Sequence, residues 1–205
     1  MKRTAFWGIV CLVAFCTAVP AAQAQLKLAA QKISLVNTTV TPADPSVLAL
    51  TDSAEIMALD VAPIPSSTYV LFSSTAFWQV DTTAAAPVRA FFRLRFVVTS
   101  PAFPAGVGLN FAVPMANFLH SNNGNGESLE SSNTNDTEVL TRETFAAFLL
   151  AENSGTLNAQ SAAQVADDMF KHGFHVSVST RLNSRNITDA TVVNPNVAIF
   201  AGRAN

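Results

Sequence analysis

Arg89, Phe91, Arg93 and Arg95 occupy alternate positions of a 205-residue chain. On a β-strand that spacing places all four on one face. Each guanidinium is a planar fork of N–H donors, so three of them with an aromatic ring among them suit a carboxylate, sulfate or uronate ligand. The pattern equally suits a solvated strand whose arginines keep a sheet soluble and guard it against edge pairing. Both readings stand on the pattern alone.

The remaining reactive side chains are sparser. Histidines occur at His120, His172 and His175. The run Lys171-His172-Gly173-Phe174-His175 invites a metal pair, but Gly173 reads as a helix stop between the two rings. Convergence at i,i+3 is then lost, and no third ligand stands at a recognisable spacing. A cationic His172 at a helix C-terminus is accounted for by the helix dipole. Serines are plentiful, yet no Gly-x-Ser-x-Gly elbow and no Ser-x-x-Lys occurs. Asp167 and Asp168 are adjacent on a helix and point about 100° apart, so they cannot face one substrate together. A Gly-rich phosphate loop is absent from the sequence. The expectation is therefore a non-enzymatic protein with no catalytic residue, metal or cofactor. One alternative is an extracellular hydrolase in which folding brings His120 or His175 to a carboxylate. Fifteen phenylalanines leave a third alternative, a carrier of a small apolar ligand.

The N-terminus indicates an address. Lys2 and Arg3 precede an apolar run from Ala5 to Val19, and Ala22-Gln23-Ala24 supplies a small–x–small cleavage site. Residues 1–24 thus read as a signal peptide, and the product is expected to be secreted, extracellular or periplasmic. Pro20 and the polar residues after it stop the apolar run short of a membrane span, so no stable membrane anchor is expected. Cys11 and Cys16 would leave with the leader, giving a cysteine-free mature chain without disulfides or thiol chemistry. Loss of Lys2 and Arg3 leaves ten basic against fourteen acidic residues. With no basic excess, nucleic acid is not an expected partner. Sequons occur at Asn37, Asn135 and Asn186.

Half the chain is hydrophobic (49%) and only 13% is charged, which excludes wholesale disorder. Residues 25–205 read as a single β-rich extracellular domain. The clearest strand is Val88–Val98, with strict alternation over the whole run. Gln31–Val40, Thr68–Phe72, Ala76–Val80, Val107–Val113, Phe174–Leu182, Ile187–Val193 and Val197–Phe200 are further predicted strands, with a turn at Ser73-Ser74-Thr75. Ser46–Val61 is ambiguous between strand and short helix. A polar flexible insert is expected at 121–136, where Ser, Asn, Gly and Glu dominate. Two short helices are predicted near 141–152 and 161–172, the second opened by Ser161 with Gln164 in capping-box spacing and closed by Gly173. The predicted fold is mainly β, a β-sandwich-like pair of packed sheets with these helices beside it.

Several stretches also resemble the fasciclin domain, an extracellular adhesion module. Thr68-Tyr69-Val70-Leu71-Phe72-Ser73-Ser74-Thr75-Ala76-Phe77 is similar to that family's first box. Arg95-Phe96-Val97-Val98 with Phe103-Pro104-Ala105-Gly106 resembles its second region. His175–Val178 and Asn186–Val193 resemble its closing strands. The first box lacks its proline, Phe96 stands where histidine is usual, and the closing Asn-Gly-x-Ile-His stretch is missing after Val197. The resemblance implies a β-rich wedge with helices, used for cell-surface or matrix contact, and carries no catalytic residues. The expected function is a secreted binding or adhesion module contacting matrix, a cell-surface protein or an acidic polysaccharide through Arg89, Phe91, Arg93 and Arg95.

Overall fold

A computed structural model describes residues 26–82, 87–120 and 128–203. Residues 1–24, where the leader is expected, and 121–127, the first part of the expected insert, lie outside the described residues.

The fold is mainly β, with two antiparallel sheets packed face to face. The first contains β1 (Leu26–Ile33), β2 (Thr38–Val40), β4 (Tyr69–Thr82), β7 (Ser128–Thr141) and β9 (Ile187–Gly202), ordered β1-β9-β4-β7 with β2 also on β9. The second runs β3 (Ala49–Val61), β8 (Phe174–Arg185), β5 (Val88–Thr99), β6 (Leu109–His120). Two helices, α1 (Arg142–Glu152) and α2 (Ala159–His172), follow β7.

Alternation explains the sandwich. Along β5, Val88, Ala90, Phe92, Leu94, Phe96 and Val98 are buried, and the residues between them are exposed or half-buried. The same period-two pattern runs along β4 and β8, so each sheet turns one apolar face to the other. Aromatic rings bridge the layers. Trp78 of β4 lies 4.2 Å from Phe92 of β5, and Phe72 lies 5.4 Å edge-on to Phe96.

The helices cover one end of this core. Thr141 caps α1 by accepting from the Thr144 N–H. Phe145 of α1 meets Phe170 of α2 at 5.8 Å and Phe174 of β8 at 6.4 Å. Arg142 ties the end together: it pairs with Asp167, donates to the Ser67 carbonyl, and lies 4.8 Å over the Phe170 ring.

Several local expectations are corrected. Ser73-Ser74-Thr75 is not a turn but the middle of β4, with register irregularities on both sides of the strand there. Ser46–Val61 resolves as strand from Ala49 onward. Ile187–Val193 and Val197–Phe200 form one strand, β9. The insert expected at 121–136 is paired from Ser128 on, because β7 aligns with β4 from Ser128↔Asp81 to Thr141↔Tyr69. Backbone pairing with a long apolar neighbour outweighs the poor strand propensity of Asn, Asp and Ser. Helix α2 starts two residues earlier than predicted. Asn158 is its cap and Ser161 is the reciprocal N3 partner, so the capping box is Asn158–Ser161.

Candidate functional site

Strand β5 lies inside its sheet, hydrogen-bonded to β8 on one side and β6 on the other. Guarding an edge therefore does not explain its arginines. Arg89, Phe91, Arg93 and Arg95 all point away from the core, with Arg89 and Arg93 exposed and the other two half-buried. The structure brings together on one face all four residues singled out by the alternation.

The register adds residues that the sequence reading did not join to them. Arg185 lies opposite Arg89, Asn183 opposite Phe91, Arg181 opposite Arg93 and Ser179 opposite Arg95. On the far side of β8, Asp52 of β3 stands opposite Arg181 and Glu55 opposite Ser179. Among the described residues this face carries five arginines against Asp52, Glu55 and Asp60. Like charges directly opposite on neighbouring strands repel, and here two such pairs, Arg89/Arg185 and Arg93/Arg181, share one surface.

Neutralisation is uneven. Asp52 takes a two-pronged bond from Arg181, at 2.7 Å from Nε and 2.9 Å from Nη2, and stands 3.6 Å from Arg95. The hydrogen-bonded Arg181 guanidinium holds the Asp52 carboxyl below the usual carboxylate range, against the opposing effect of its partial burial, and Arg95 adds a smaller Coulombic contribution. Arg185 donates from Nε to the Ser46 carbonyl at 3.1 Å. Arg89 lies 4.7 Å over the Phe91 ring. Arg95 Nε is buried without a hydrogen-bond partner among the described residues. Arg93 makes neither an ion pair nor a side-chain hydrogen bond with any described residue. The centre of the face thus offers guanidinium donors in excess of carboxylates.

The histidines lie elsewhere. His175 is at the opposite end of β8 from Arg185, across from Thr99 and Asp60 on the neighbouring strands. Its Nδ1 is 2.8 Å from Asp60 Oδ1, and both residues line a cleft of about 520 Å³. Val61, Pro63, Phe174 and His172 also line the cleft. His172 Nδ1 is engaged with the Asp168 carbonyl at 2.8 Å, four residues back along α2. No three His, Cys, Asp or Glu side chains converge as metal ligands among the described residues. His120 ends β6, and its side chain lies outside what is described. Asp167 and Asp168 do not share a substrate-facing site: Asp167 pairs with Arg142 and Lys171, and Asp168 with Lys171. No helix of the described residues is long and apolar enough to cross a membrane.

No family model matches the chain, and no curated protein matches it. Among solved structures it is similar to that of the Gx strain of infectious bursal disease virus, with TM-score 0.27 and 7% identity over 88% of this chain and 40% of that one. It is also similar to the family 11 carbohydrate-binding module from Clostridium thermocellum, solved with a β-1,3-1,4-mixed-linked tetrasaccharide. There the TM-score is 0.21 and the identity 9%, over 84% of this chain and 94% of that one. This chain therefore spans less than half the length of the viral chain. Likenesses of this size carry no argument about ligand or activity.

Proposed function

We propose that the protein is a secreted, non-catalytic binding module whose β5–β8 face holds the carboxylate or sulfate groups of an acidic polysaccharide on a matrix or cell surface. One observation carries this reading: Arg93 faces Arg181 across the strands with no described counter-ion of its own, between an arginine pair on one side and the half-satisfied Arg95 on the other. An incoming anion relieves that repulsion and gains charge-assisted, planar hydrogen bonds. Secretion rests on the leader-like residues 1–24. The fasciclin resemblance belongs to the same proposal, since that family serves adhesion.

The test is electrophoresis through gels containing a sulfated or uronate polysaccharide. The native protein is expected to be retarded, and the double substitution Arg93→Ser, Arg95→Ser to migrate freely while keeping its circular dichroism. Equal retardation of both proteins would remove this face from consideration.

A hydrolase is the second reading, supported by the His175–Asp60 pair in its cleft. The Asp60 side chain is 91% exposed, so water screens the pair, and no described hydroxyl is hydrogen-bonded to the other ring nitrogen. A tuned general base needs a drier and better-oriented setting. Turnover of a glycan or ester substrate that disappears in His175→Ala would establish the hydrolase in place of the binding module.

A further inference from the structure

The arginine pairs are spaced as well as clustered. Arg89/Arg185 and Arg93/Arg181 are four residues apart on β5, which at about 3.3 Å per residue separates them by about 13 Å along the strand. Phe91 and Asn183 lie between them. We infer that the ligand is a linear polyanion lying parallel to β5 and β8, with one charged group in each arginine pair and an uncharged ring face against Phe91. This rests on the anion-binding reading above and deepens it.

Direction follows from the surroundings. Across the strands, a chain passing over Arg93 meets Asp52 on one side and Pro114 on the other. Along the strands it runs from the Arg89/Arg185 pair over Phe91 and Asn183 to the Arg93/Arg181 pair and Arg95. Glu55 stands level with Arg95, opposite Ser179, and beyond it come Ser177, His175 and Asp60, so the cationic track is short. A short track with a ring platform between separated charges fits a sugar chain, whose anionic groups are spaced by pyranose rings. A nucleic-acid strand wants a longer unbroken basic groove with several aromatic rings on which successive bases stack. A monomeric anion fills only one arginine pair, whereas an oligomer that spans both gains from the second contact being intramolecular.

Calorimetry with oligogalacturonates of one, two, four and six residues tests this on the purified protein. Affinity is expected to rise by about tenfold or more between the dimer and the hexamer. The double substitution Arg89→Gln, Arg185→Gln should bring the hexamer down to about the affinity of the dimer, because only the Arg93/Arg181 pair remains. Equal affinity at every length would overturn the spanning arrangement and leave the anion face standing. Tighter binding of a single-stranded oligothymidylate than of the hexamer would overturn the sugar class. Failure of every uronate oligomer, and of a sulfated hexasaccharide, to bind would overturn the anion-binding reading itself.

Discussion

Asp52 is one carboxylate serving two arginines, and its removal should act in opposite directions on stability and on binding. Asp52→Asn loses the two-pronged bond to Arg181 and the weaker contact to Arg95. Because the pair is about one-third exposed on the Asp52 side, the stability loss is expected to be about 1 kcal/mol or less in a denaturant melt. Affinity for an acidic oligosaccharide should rise, since two guanidiniums are freed. The folded-state pKa of Asp52 is depressed, so its stabilising contribution is complete above the unfolded carboxylate range and is lost as pH falls through the folded value. Asp52→Asn should accordingly flatten the acid limb of the stability–pH curve and leave stability near neutrality only slightly lower. Half of this site was legible in the sequence: strict alternation alone put Arg89, Phe91, Arg93 and Arg95 on one face. Arg181 and Asp52 are 129 positions apart, and nothing local announces which strands become neighbours. Their place beside Arg93 and Arg95 depends on tertiary register.

Elements with strong local signals were the readable ones. Strand β5, the two helices and the stop at Gly173 follow from periodicity and capping chemistry. Helix α2 began early because Asn158 is as good a cap as Ser161 and leaves the serine free for the N3 role. Asn158→Ala is expected to cost about 1 kcal/mol, measured by thermal or denaturant unfolding. Gly173 has φ +83°, and a Cβ built there would stand 2.5 Å from the Val61 carbonyl oxygen. Gly173→Ala should therefore destabilise by about 1–3 kcal/mol and disturb the junction of α2 with β8. Strand β7 was not readable, because its pairing is supplied by β4 and not by its own polar side chains. Likewise the serines at the centre of β4 resemble a turn only until the flanking strands are known. Replacing Trp78, packed against Phe92, by alanine is expected to cost about 3–5 kcal/mol, a check that the two sheets share one core.

Over the whole molecule the charge is slightly negative, −2 for the full sequence, while one sheet face is cationic. Attraction to a polyanion is thus local, and long-range steering of the entire protein contributes little. Retention on an acidic polysaccharide should fall as salt is raised, because the guanidinium–anion contacts on this exposed face are screened by counter-ions. The two ends of the β3-β8-β5-β6 sheet present different chemistries, guanidiniums at one and, beside α2, an imidazole cleft at the other. Amide and guanidinium NMR shifts during titration with a uronate or sulfated hexasaccharide separate them most directly. Shifts centred on Arg89, Phe91, Arg93, Arg95 and Arg181 are the expected result. A response confined to His172, His175 and the cleft around Phe174, or no response at saturating ligand, would contradict the assignment of the arginine face as the binding surface.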